Sequence, residues 1–151
     1  MLHELTQLVT EGRPVAARML IGGHWGGSAA AGHEIENPAD ETIIATTPAG
    51  TADTAAEALQ AARRAQPGWA MLPAVERGRA VQALADAVRD HADLLARIVV
   101  MEQGKPLAQA RGEVGATETF LRYAAEQARR IEGEILPSDA PDEEIQIRRL
   151  P

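Results

Sequence analysis

The chain has 151 residues, of which 45% are hydrophobic and 25% charged, enough for one domain with a real core and too few for two independent ones. Its net charge of −7 and its fourteen arginines, scattered apart from pairs such as Arg63-Arg64, argue against a nucleic-acid partner, whose phosphates call for a clustered cationic face. It contains no cysteine, which excludes disulfides, thiolate metal sites and thiol catalysis by these residues, and no apolar run approaches the ~20 residues a bilayer needs, so a cytoplasmic chain is expected.

In chain order, residues 1–18 hold a short helix around Leu5, Leu8 and Val9, then Gly12 and Pro14, and read as an appended leader, free to be flexible. Glu4 and Glu11, and the lack of a basic start, make this stretch unlike a signal peptide. Met19-Leu20-Ile21 before Gly22-Gly23, then His33 to Asn37 and Thr42 to Thr47, are short β-prone runs separated by Gly, Asn-Pro and Asp. They predict a small antiparallel ribbon.

A first helix is expected from Thr51, a natural N-cap with Asp53 in its first turn, to about Gln66. Pro67-Gly68 should end it, with Trp69 pinning the turn to the core. After Pro73 a second helical stretch places Leu84, Val88, His91, Leu95 and Ile98 on one face, with a bend expected near Asp90. Gly104 should stop it and Pro106 start the next helix, where a missing N–H costs nothing.

That third helix alternates steps of three and four through Leu107, Ala110, Val114, Thr117, Leu121, Ala124, Ala128 and Ile131. Glu118 with Arg122 and Glu126 with Arg130 are spaced for ion pairs along it. Gly133 ends it, a loop through Pro137, Ser138 and Asp142 follows, and residues 144–150 alternate as a half-buried strand. A final strand with no partner leaves an open edge, so the chain reads as an incomplete domain.

The search for chemistry is mostly negative. Gly22 to Ser28 is glycine-rich but lacks the Lys of a phosphate loop and the spacing of a dinucleotide fingerprint, so a tight turn between strands is the better reading. His3, His24, His33 and His91 have no paired ligand spacing, and no metal site is expected. Thirty alanines, fourteen arginines and one lysine are read as the codon bias of a GC-rich bacterial genome. Against that preference for Arg, the placement of the sole lysine at 105 hints that an ammonium is wanted there.

From Met19 onward the chain resembles the N-terminal part of the NAD(P)-dependent aldehyde dehydrogenase superfamily. The resemblance rests on Ile21-Gly22-Gly23-His24-Trp25, Asn37-Pro38-Ala39, the Ala-rich helix ending near Trp69, Arg77-Gly78-Arg79 and the stretch from Leu84 to His91. It continues through Glu102-Gln103-Gly104-Lys105-Pro106-Leu107, Gly112-Glu113-Val114 and Arg122-Tyr123-Ala124-Ala125, all in order. Within the superfamily, Glu102 to Leu107 is similar to succinate-semialdehyde dehydrogenases, whereas Arg129 to Ile135 and Ser138-Asp139 are similar to lactaldehyde and glycolaldehyde dehydrogenases.

The resemblance implies an α/β fold: the opening strands and helices of a Rossmann-like cofactor domain, helix-dominated and incomplete, over residues 19–151. It implies oxidation of a small-molecule aldehyde to the acid with NAD or NADP, by a homo-oligomer when full length, through a cysteine thiolate, hydride transfer and a Glu-activated water. None of those groups maps onto this chain, so no catalytic and no cofactor-binding residue is assigned and residues 1–151 alone are expected to be inactive. The resemblance places Thr117 and Phe120 beside the substrate tunnel, and Glu102 at an acidic position that can help form a monovalent-cation site. A non-catalytic helical interaction module and one half of a split enzyme are the competing expectations.

Overall fold

A computed structural model describes residues 1–27 and 32–150; Ser28 of the glycine-rich stretch and Pro151 lie outside them. The first helix, α1 (Leu2–Glu11), ends where Gly12 turns left-handed at φ 67°. Next come β1 (Val15–Ala16), β2 (Met19–Ile21), β3 (His24–Gly26), β4 (His33–Glu36) and β5 (Ile43–Thr47). The stretch expected as a leader thus carries α1 and β1, and packs: Leu8, Val15 and Ile44 form one buried cluster, flanked by Leu5, Ile35, Ala45 and Met101.

The single antiparallel ribbon expected from sequence is two sheets. β2 and β3 form a hairpin on their own, while β5 pairs antiparallel with β4 and parallel with β1. The hairpin turn is Gly22-Gly23, with φ of 60° and 84°, conformations that glycine adopts without the Cβ penalty. The parallel β1–β5 pairing is invisible in sequence because a two-residue strand carries no alternation to detect.

Helix α2 (Ala52–Met71) starts on Thr51, whose Oγ1 accepts from the Thr54 amide at 3.2 Å while Thr54 Oγ1 accepts from the Thr51 amide at 3.3 Å. The helix does not stop at Gln66: Pro67 sits inside its last turns. Proline there removes one intrahelical bond, and because no residue of α2 is buried, water can serve the carbonyl it frees. Trp69 correspondingly lies 42% exposed and does not pin the turn to the core.

Helices α3 (Ala74–Asp90) and α4 (Ala92–Gln103) divide at His91, where ψ relaxes to 17°, close to the expected bend. Helix α5 (Leu107–Gln127) follows. The residues at 0% exposure are alanines, Ala85, Ala96 and Ala110, rather than the larger members of the predicted faces; Leu84 is 54% exposed. Small side chains let helix axes approach closely, and the larger neighbours Val88, Leu95, Val99, Val100 and Leu107 pack around the seam of Ala96, Ala110 and Val114.

Helix α5 ends at Gln127, not near Gly133, so Ile131 is exposed and Arg130 lies beyond the helix, outside the i,i+4 geometry that would set it beside Glu126. The expected Glu118–Arg122 pair forms at 2.7 Å. The last strand is not without a partner: β7 (Glu144–Ile147) pairs antiparallel with β6 (Glu134–Pro137), a strand missed because four residues ending in proline read as loop. Gly133 permits this closure, since a Cβ there would collide with the carbonyl of Ile147.

Two glycines give opposite expectations. A Cβ on Gly78 would lie 3.0 Å from the Ala125 carbonyl and from the Ala128 Cβ, whereas Gly112 faces open space in mid-helix. Gly78→Val should cost about 1–3 kcal/mol by overpacking the α3–α5 seam, and Gly112→Ala should stabilise by about 0.5–1 kcal/mol. Urea denaturation of the two variants beside the parent checks both signs.

Candidate functional site

The segment joining α4 to α5 is where the sequence concentrates its distinctive residues. Gly104 closes α4 at φ 68°, and its amide donates to the Val100 carbonyl at 2.8 Å. Pro106, extended at ψ 139°, caps α5 without needing an N–H. The turn also touches the strands: a Cβ on Gly104 would lie 2.8 Å from Cγ of Pro38. Pro38 sits in a loop ordered by the Asn37 side chain, which accepts from the Ala39 amide at 3.0 Å, and by Asp40, which accepts from the Thr42 hydroxyl at 2.6 Å. Those Thr42 hydrogen bonds, side chain first and backbone second, lower the Asp40 pKa.

Two ion-pair groups frame the turn. Lys105 Nζ meets Glu113 Oε1 at 2.6 Å across the first turns of α5, with the lysine side chain only 21% exposed. Asp93, near the start of α4, receives Arg97 of its own helix at 2.7 Å and Arg111 of α5 at 2.7 Å. The Arg111 hydrogen bond, and after it that of Arg97, holds the Asp93 carboxyl below the usual carboxylate range. Neither Lys105–Glu113 nor Asp93–Arg111 was legible from sequence, because their separations of eight and eighteen residues are not intrahelical spacings.

The residues named from the resemblance do not come together with these groups into a reacting centre. Thr117 is exposed on α5, its hydroxyl donating back to the Glu113 carbonyl at 2.9 Å, and Phe120 lies one turn further on, 72% exposed. Tyr123 extends the same face at 63% exposure. Glu102 is exposed at the end of α4, and no group of three or more His, Asp or Glu side chains converges among the described residues. A cleft of about 610 Å³ between α1 and α4 is lined by Thr6, Val9, His91, Asp93 and Arg97, remote in sequence from every predicted site residue on α5.

Among the described residues a dinucleotide finds no cradle. The glycine pair is spent on the β2–β3 turn rather than opening a helix, and the parallel β1–β5 pair is linked by strands with no crossover helix between them. The described residues therefore do not fit an NAD or NADP site by themselves. No helix among them is long and apolar enough to cross a membrane.

Comparison with known proteins supplies what the geometry lacks. The model of the aldehyde dehydrogenase family matches residues 25–151. The chain is 41% identical over 135 residues to lactaldehyde dehydrogenase of Escherichia coli K12, covering 87% of this chain and 28% of that protein. It is 35% identical over 118 residues to the NADP+ succinate-semialdehyde dehydrogenase of the same organism, covering 78% of this chain and 24% of that one. The crystal structure of lactaldehyde dehydrogenase from Escherichia coli superposes with a TM-score of 0.82 at 40% identity, over 89% of this chain and 28% of that chain. The chain thus spans about a quarter of the length of the relatives it matches.

The junction and its ion pairs give two expectations. Gly104→Ala should destabilise by at least about 1–2 kcal/mol, from the left-handed backbone alone, with the Pro38 contact adding to it; thermal melting measures the loss. Because the folded pKa of Asp93 is depressed, its contribution is present above the unfolded carboxylate value of ~3.9 and is lost as pH falls through the folded value. A ¹³C NMR titration should place the Asp93 midpoint below the ordinary range, and Arg111→Leu should move it upward.

Proposed function

The chain belongs to the aldehyde dehydrogenase family, and on that premise we propose that residues 19–151 are the N-terminal part of an oxidoreductase that converts a small aldehyde to its acid with NAD+ or NADP+. The observation that carries this reading is the 0.82 superposition over nearly the whole chain at 40% identity, far above the level at which fold alone is shared. In this reading residues 1–151 build scaffold and one wall of the substrate path, and the nucleophile, the base and the dinucleotide site belong to the rest of the enzyme. The cofactor would supply the hydride acceptor; this chain's residues would place α5 beside the substrate path.

The same alignments support a proposal for the substrate class. Greater identity to the lactaldehyde enzyme than to the succinate-semialdehyde enzyme, 41% against 35%, favours a short hydroxyaldehyde over a semialdehyde with a distal carboxylate. Thr117, Phe120 and Tyr123, exposed on one face of α5, are the residues proposed to border the path the aldehyde takes. Full-length protein is proposed to be a cytoplasmic homo-oligomer, which agrees with the apolar exposure of β6 and β7, where Ile135 stands 71% and Ile145 49% open.

Purified residues 1–151 should therefore produce no reduced nicotinamide from lactaldehyde, glycolaldehyde or succinate semialdehyde with either cofactor, for want of a thiol. Turnover that elutes with the chain on size exclusion, and disappears when the chain is removed, would overturn the inactivity of this segment.

A further inference from the structure

Lys105 carries the single side-chain amine of the chain, among fourteen arginines. Aldehydes condense with amines: the nitrogen lone pair attacks the carbonyl carbon, water leaves, and an imine forms. An ammonium has no lone pair to offer, and a guanidinium, always protonated, does not react in this way with a simple aldehyde. A chain that meets aldehydes repeatedly thus exposes one side chain to this damage, and the structure places that side chain in an unusual position.

Four observations bear on its reactivity. Lys105 is 21% exposed, the least open cationic side chain among the ion pairs of the described residues, where the arginines range from 28% upward. Its Nζ is engaged by Glu113 Oε1 at 2.6 Å, so the nitrogen is presented as a donor to a carboxylate. Its backbone lies between left-handed Gly104 and Pro106, whose ring fixes φ at −59°, so the stem of the lysine leaves a stiff turn. Glu113 is itself 57% exposed and occupied by nothing else at that oxygen, which leaves it free to follow the amine.

We infer that Glu113 guards Lys105 against condensation with aldehydes, so that the one side-chain amine of the chain is a masked carbonyl-modification site. The masking is local chemistry and stands independently of catalysis; its usefulness to the protein rests on the aldehyde dehydrogenase reading.

The test uses the whole 151-residue chain with glycolaldehyde and cyanoborohydride. The reductant delivers hydride to the imine carbon and solvent a proton to nitrogen, locking each adduct as a secondary amine that peptide mass spectrometry can count. Adduct formation at Lys105 should be slower in the folded chain than in an unfolded control. It should rise roughly two- to fivefold in Glu113→Gln, the range expected for loss of one largely exposed ion pair. Lys105→Arg should abolish the internal adduct. Circular dichroism checks that Glu113→Gln is folded; should it not be, high salt on the parent protein provides the second arm, because screening of the pair should raise the Lys105 rate in the same direction. A Lys105 rate in folded Glu113→Gln no higher than in the folded parent would overturn the inference. A null turnover assay would leave these rates untouched, so failure of the enzymatic reading and failure of the guarding are separable.

Discussion

The left-handed turn at Gly104 is the constraint on which the rest of the helical body depends. It ends α4, lets Pro38 come within contact of the backbone and sends the chain through Pro106 into α5. Any side chain at 104 would oppose both the backbone conformation and the loop beneath it. With the turn set, Ala96 and Ala110 face one another across a seam too narrow for larger residues, and the valines and leucines pack around it. Helix α4 then links the two cores, because Met101 near its end reaches the cluster of Leu8, Val15 and Ile44.

Charge reinforces this arrangement without making a reacting centre of it. Asp93 ties α4 to α5 through Arg111, and Arg122 ties α5 to α3 by reaching Asp86 at 2.9 Å while held by Glu118. Asp93, Arg111 and Asp86 are open to solvent and Arg122 and Glu118 half-buried, so each pair contributes modestly and mainly fixes helix register. What the fold leaves uncovered is apolar: Phe120 and Tyr123 on α5, Ile135 and Ile145 on the last hairpin, and Leu59 and Trp69 along α2. No large side chain is fully buried anywhere in the described residues. Such a surface suits a segment that finishes its packing against further parts of a dehydrogenase.

The sequence was most readable where a residue type has one physical use. Thr51 as a cap, Gly22-Gly23 as a hairpin turn and Gly104 as a helix stop each follow from backbone or hydrogen-bond chemistry within a few residues. It was least readable where long-range packing decides. Alanines look neutral in a helical pattern, yet Ala85, Ala96 and Ala110 are the buried positions. Pro67 reads as a terminus from its local penalty alone, which the exposure of α2 to water relieves. Strand β6 exists only because β7 returns beside it, a pairing no window of four residues can announce. As for the site, the motif from Glu102 to Leu107 identified the family, while the contacts made there, Gly104 on Pro38 and Lys105 on Glu113, required the fold.

If the proposed function holds, residues 19–151 can stand in for the N-terminal part of a whole aldehyde dehydrogenase. The most direct measurement replaces the corresponding stretch of Escherichia coli lactaldehyde dehydrogenase with residues 19–151 and follows lactaldehyde-dependent reduction of NAD+. The proposed function predicts a soluble chimera that binds the cofactor and turns over lactaldehyde. A chimera that folds, assembles and binds NAD+ but oxidises no aldehyde would contradict it.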